Sequence, residues 1–195
     1  MAAVSNDGRA LQFASDGLKN DKEVVMAAVK SGSRVYPGYG YRGSARPKPS
    51  PLQYASSQSK NDKEVVMAAV AQNGWALQFA SNEFKHDKEI VMTAVANDGR
   101  ALQFASCELR VNDNEVVMAA VKQNGWALPY ASNQFKNTRE IVMTAVKQNG
   151  WALEHASNEL KNDKKVVIAA VEQHARCYNY RFGDSPLQYT SLKND

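Results

Sequence analysis

Cysteine is scarce in this 195-residue chain: there are two, Cys107 and Cys177, isolated and without C-x-x-C spacing. No disulfide framework is implied, and an intracellular, reducing compartment (cytoplasm or organelle interior) is the expectation. No apolar run approaches the eighteen or so residues needed to cross a bilayer, so no membrane span is expected. The opening MAAVSNDGR has neither the apolar core nor the cleavage site of a secretory leader. Histidine is nearly absent too, and His86, His155 and His174 fall at unrelated places in the pattern described below. No Ser-His-Asp or Cys-His set follows from their spacing. Metal-ligand clusters and phosphate-cradling glycine loops are lacking. No catalytic, metal-binding or cofactor-binding residue is assigned, no cofactor is expected, and the chain reads as non-enzymatic.

What the chain has in quantity is repetition. NDKEVVMAAVAQNGWALQFASNEFK (61–85) is followed at once by HDKEIVMTAVANDGRALQFASCELR (86–110), and Asp62, Asp87, Asp113, Thr138 and Asp163 recur every 25 or 26 residues. Such a period is the signature of a stacked repeat array. Each unit reads as two short helices. The first opens on an Asp N-cap followed by Lys-Glu, which suits the orphan N–H groups and the positive helix end. Its apolar residues, Ile90, Val91, Ala94 and Val95 in one copy, share a face. Asn97–Asp98–Gly99 ends it, with Gly99 expected to take the left-handed conformation. The second helix is GWALQFAS, with Leu77, Ala80 and Phe84 on one side across the following turn. Helices this short do not stand alone in water, because nucleation is costly; an all-α solenoid of ~25-residue two-helix repeats supplies the neighbours each one needs. At 44 % hydrophobic and 9 % aromatic content there is enough for a continuous core, though a thin one. Acidic residues such as Glu64 and Glu89 read as helix-start residues, and the Met column (Met26, Met67, Met92, Met118, Met143, then Ile168) as core packing.

The expected organisation is a single array over 1–195 of six to seven partial or complete units. Met1 aligns with Met92, inside the first helix of a unit, and the chain stops where the next helix should begin. Solenoids need polar end caps, so either a longer array or ends covered by other chains is expected.

Two inserts break the phrase, at 31–51 and 172–186. Asp21 and Asp62 are 41 residues apart instead of 25, so the first insert adds 16. It carries Arg34, Arg42, Arg46 and Lys48 with no acid, and this +4 equals the formal net charge of the whole chain. The two inserts resemble each other in YGYRG (39–43) and YNYRFG (178–183), each followed by SPLQY. Both replace the tight Asn73–Gly74 type of joint, so both leave the array from one edge, where repeat proteins often place binding residues. Arg34, Tyr36, Tyr39, Tyr41, Arg42 and Arg46, with Tyr178, Tyr180 and Arg181, are therefore partner-binding candidates. They are expected to contact neighbouring chains or to pack back on their own repeats. Arg and Tyr are enriched at protein interfaces and also stack on bases; a passive loop is the plain alternative.

A third feature is a position that alternates: Arg9, Trp75, Arg100, Trp126, Trp151. A site accepting both side chains is not fully buried, and should be a half-exposed ridge with the Arg stem lying on apolar surface. Beside it runs Gln12, Gln53, Gln78, Gln103, Pro129, Glu154 and Gln188. Trp75, Trp126 and Trp151 join the partner-binding candidates; repeat-on-repeat stacking is the structural reading of the same ladder. Base-reading repeats vary systematically at paired positions, and these do not.

The stretch LQFASNEFKHDKEIVMTAVANDGRALQFAS (77–106) resembles the repeat family known as domain of unknown function 4116, whose pattern is close to LxxASxxLKNDKEVVxxAVxQNGxAL. The likeness extends over the chain except the two inserts. Membership implies a repeat protein of the kind found mainly in protists, algae, large viruses and some intracellular bacteria. It implies no activity and assigns no residue a role. The functional expectation is a repeat scaffold, an accessory structural subunit mediating protein–protein contacts with other chains of a larger complex. The alternative is a basic helical-repeat RNA-binding protein.

Overall fold

The computed structural model describes residues 7–31 and 49–177. Among them every regular element is helical, and the fold is an all-α array of short repeats of the solenoid class. The two inserts' Arg34, Tyr36, Tyr39, Tyr41, Arg42, Arg46, Tyr178, Tyr180 and Arg181 lie outside the described residues.

Three elements, rather than two, make each repeat. In one round these are a 3-10 helix Gly74–Phe79, a one-turn α-helix Asn82–His86 and a ten-residue α-helix Lys88–Asn97. The expected second helix, GWALQFAS, thus stops at Phe79. Its six residues close in 3-10 fashion, with the Ala76 N–H donating to the Asn73 carbonyl at 2.8 Å and the Ala80 N–H to Leu77 at 3.2 Å. The Ala-Ser pair that follows is a hinge in extended conformation. Its Ala is buried to let the chain turn, and its Ser starts the short helix: Ser56, Ser106, Ser132 and Ser157 accept the N–H three residues on.

The chain divides into two compact units, Met1–Asn97 and Asp98–Asp195. In the first, long helices Lys22–Ser31, Lys63–Gln72 and Lys88–Asn97 pack side by side, and the 3-10 helices Gly8–Phe13, Pro51–Tyr54 and Gly74–Phe79 stack beneath them. In the second, the long helices are Asn114–Gln123, Arg139–Gln148 and Lys164–Cys177, over 3-10 helices Gly99–Phe104, Gly125–Tyr130 and Gly150–His155. The core lies between the two layers. Leu77, Ile90, Val91, Leu102, Leu128, Ile141 and Leu153 are all fully buried. The apolar quartet Ile90, Val91, Ala94, Val95 is buried as its spacing requires, and so are Leu77, Ala80 and Phe84. The Met column is different: each Met is half-buried and Ile168 is 46 % exposed. Met lies on the outer face of the long helix, one position beyond the Val pair that faces the core.

Where a joint glycine follows a long helix, its role is other than the left-handed conformation. None of the joint glycines Gly8, Gly99, Gly125 and Gly150 has a positive φ. Each lies against the carbonyl of an alanine in the next repeat's long helix: Ala28, Ala120, Ala145 and Ala170. A methyl at Gly125 would sit 2.5 Å from the Ala145 oxygen. The joint is a close approach of backbone to backbone, which only a residue without Cβ permits.

A second link closes the same joint. The Asn97 side chain accepts from Gly74 N–H at 2.8 Å and donates to the Ala71 carbonyl at 3.0 Å; Gln123 accepts from Gly99 N–H at 2.6 Å. Replacing Gln123 by Ala leaves that N–H unpaired beside a buried glycine, and is expected to cost about 1–3 kcal/mol. Urea unfolding followed by Trp fluorescence checks it.

The DKE phrase has a third inter-repeat role. Asp62 and Asp87 cap their own helices. Lys22 reaches forward to Asp62 and Glu64 at 2.9 and 2.8 Å, and Lys63 to Asp87 and Glu89 at 3.0 and 2.8 Å. Glu64 and Glu89 are therefore more than helix-start residues. Arg139 reaches Asp163 at 2.9 Å. Where the cap is Thr138, the preceding repeat has Asn114 in place of Lys. Such exposed pairs fix register more than they add stability.

The second insert starts as helix. Gln148–Asn149–Gly150 corresponds to Gln173–His174–Ala175, so both the cap and the glycine are missing. The last long helix continues to Cys177, and 172–177 is helix where a loop is expected.

Candidate functional site

The ridge residues stand second in their 3-10 helices, directly after the joint. A cap side chain fixes each one: Asn73, Asn124 and Asn149 accept the N–H of Trp75, Trp126 and Trp151 at 3.0–3.1 Å. Asp7 and Asp98 do the same for Arg9 and Arg100. The cap changes with the ridge residue. Wherever the ridge is Arg the cap is Asp, and the guanidinium folds back on it, Arg100 Nη2 lying 2.7 Å from Asp98. Wherever the ridge is Trp the cap is the neutral Asn. An Asp cap thus neutralises the Arg, so both versions of the ridge are locally neutral.

Trp126 is 40 % exposed, and Trp75, Trp151, Arg9 and Arg100 are half-buried, as the mixed composition predicts. The ridge rests on aromatic residues of the following repeat. Trp126 meets His155 edge-on with ring centres 6.1 Å apart, and Trp151 meets His174 at 5.4 Å. Stacking of repeat on repeat and partial exposure thus hold together. His155 and His174 were not connected by sequence spacing, yet each completes a Trp rung. The available signal was register: His155 takes the place of Phe79, Phe104 and Tyr130. The neighbouring Gln ladder is local, with Gln78 and Gln103 donating to the carbonyls of Trp75 and Arg100.

In the first unit the ridge is interrupted. Ser50 occupies the position and is buried; near it Arg9, Phe13, Pro49 and Tyr54 line a groove of about 480 Å³, with Phe13 85 % exposed.

Burial holds the His155 ring below its usual pKa, Lys136 and Lys161 push the same way, and Glu154 opposes them. The unfolded chain takes up the proton near pH 6.5, and the folded chain only at lower pH. The unfolded state therefore binds more protons below 6.5, and stability should fall with pH from there down to the folded value. His155→Phe, which restores the commoner residue, is expected to flatten that slope; melting temperatures between pH 7.5 and 5 measure it.

Among the described residues no group of three His, Cys, Asp or Glu side chains is placed to hold a metal ion. No helix among them is long and apolar enough to cross a membrane.

The stacked layers and glycine joints define a helical-repeat protein. A family model described as a domain of unknown function, DUF4116, matches residues 1–37, 48–85, 62–110, 87–136 and 138–182. The chain belongs to this family. No curated protein and no solved structure matches it.

Proposed function

We propose that the chain is a non-enzymatic repeat scaffold, an accessory structural subunit that holds other protein chains of a larger assembly. The observation that supports this most is the ridge, in which Trp126 keeps 40 % of its surface in water while His155 packs against it at 60°. Trp and Arg carry a disproportionate share of interface energy, and rings already held in place lose little freedom on binding. The aromatic and basic inserts extend the reading to a second kind of contact. A reducing intracellular compartment suits the free, exposed Cys107.

The test is affinity purification of the full chain from its native source, beside the Trp126→Ala/Trp151→Ala variant. Mass spectrometry should find a fixed set of proteins in stoichiometric amounts, depleted with the variant. Recovery of the chain alone, as a stable monomer, overturns the scaffold. Salt-dependent capture of single-stranded RNA, lost on replacing Arg34, Arg42 and Arg46 by Ala, transfers the reading to the RNA-binding alternative.

A further inference from the structure

Every short helix carries a basic residue in its last turn: Lys19, Lys60, Lys85, Arg110, Lys136 and Lys161. All are half-buried. Their register is fixed by backbone, because the Ser that caps the next short helix donates its N–H to the basic residue's carbonyl. Ser132 bonds Arg110 at 3.3 Å and Ser157 bonds Lys136 at 2.9 Å. In the first unit Lys60 is occupied within the fold, its ammonium donating to the Gln53 carbonyl at 2.9 Å.

Lys19 and Lys85 make no such bond with a described residue, and the three of the second unit are like them. The side chains of Arg110, Lys136 and Lys161 make no hydrogen bond or ion pair with any described residue, and Arg110 Nε is buried without a partner. Unpaired buried donors are costly. Burial also lowers the Lys136 pKa, and Lys136 and Lys161 act together on His155. Glu108 and Glu159 are exposed on the same short helices, two positions earlier. Side chains two apart on a helix do not face each other. Glu154 is the acid felt by His155.

We propose that Arg110, Lys136 and Lys161 form a docking strip for an extended acidic segment of a partner protein, with one carboxylate received per repeat. This deepens the scaffold reading and rests on it for the partner being a protein. Two features favour a peptide over a nucleic acid. Arg110, itself half-buried, carries a planar guanidinium fork of the kind that fits a carboxylate. One cation per repeat is sparse for a backbone charged at every nucleotide.

The experiment uses the full chain and a fluorescent peptide of about twelve residues alternating Glu and Ser, read by anisotropy at low salt. Arg110→Gln/Lys136→Gln/Lys161→Gln is compared with Lys122→Gln/Lys147→Gln/Lys165→Gln, which removes three positive charges from exposed long-helix sites. The strip variant is expected to weaken binding about 10-fold or more, and the control less than about 2-fold. Circular dichroism checks folding; should the triple variant unfold, Lys161→Gln alone is expected to weaken binding about 3-fold. Equal losses in both variants, no saturable binding by the parent chain, or stronger strip-dependent binding of a uridine dodecamer overturns the proposal. Failure of the peptide with co-purifying proteins still present overturns the strip alone. A lone monomer from the native source overturns the scaffold.

Discussion

Gly125→Ala is expected to destabilise the second unit by about 3 kcal/mol or more, the upper range for overpacking. The added methyl would lie 2.5 Å from the Ala145 carbonyl oxygen, 3.1 Å from Asn149 Cβ and 3.2 Å from Asn149 N. Two of these atoms are backbone, so no rotamer change relieves the overlap. The Ala145 carbonyl cannot turn away cheaply either, since it accepts the Asn149 N–H at 2.9 Å. Relief requires the two repeats to separate, which opens the core under the joint. Gly17→Ala is the control. Nothing lies within 4 Å of a Cβ there, and the site is inside the short helix Asp16–Asn20. That substitution should raise stability by about 0.5–1 kcal/mol. Guanidinium unfolding followed by the three Trp residues reads both. A Gly125→Ala midpoint equal to that of the parent chain would refute the close-approach account.

Leu128→Ala should cost about 2–5 kcal/mol, as for other large-to-small changes at fully buried positions. Leu128 has no exposed surface, and its neighbour Ala127 has none either. The glycine joint clamps the 3-10 helix on the next long helix, so the space left by three carbons cannot close by backbone movement. Met143→Ala, on the half-buried outer row, should cost only about 1 kcal/mol. The same unfolding titration separates the two; a Leu128→Ala cost as small as that of Met143→Ala would show that the layers are loosely packed.

The long helices were legible because their signals are local. An Asp cap, an Ile-Val or Val-Val pair and an Ala-Val pair four residues on are all the information that a helix against a core requires. The short helix was not legible in the same way. Four to six residues of NEFK or NELK type carry too few apolar positions to show a period, and Phe84 or Leu160 is its only buried anchor. The 3-10 geometry of GWALQF was hidden for a related reason: six residues with Leu in the middle suit either helix, and the choice is made by the Asn cap and the extended Ala-Ser hinge. Gly99 shows a different limit. Its presence at a helix end suggests local conformation, whereas its actual constraint is an oxygen belonging to Ala120, twenty-one residues later. The ridge was correctly placed at the surface because Trp and Arg share one column. The rungs beneath it were missed because edge-on contact between Trp126 and His155 joins two repeats, and no single repeat contains it.

Three of the links between repeats point one way. A joint glycine is covered by the alanine of the repeat after it, its N–H is closed by that repeat's Asn or Gln, and its long-helix Lys reaches forward to the following carboxylates. A repeat that loses its successor keeps a stranded donor and an uncovered backbone. A repeat that loses its predecessor leaves the Ser N–H of its short helix unmade and an amide and two carboxylates facing water, but its glycine backbone stays covered. Within a unit, then, the two directions of shortening are not equivalent, and melting should advance more readily from the downstream side. Each unit behaves as a short row of tiles, each lapped by the next.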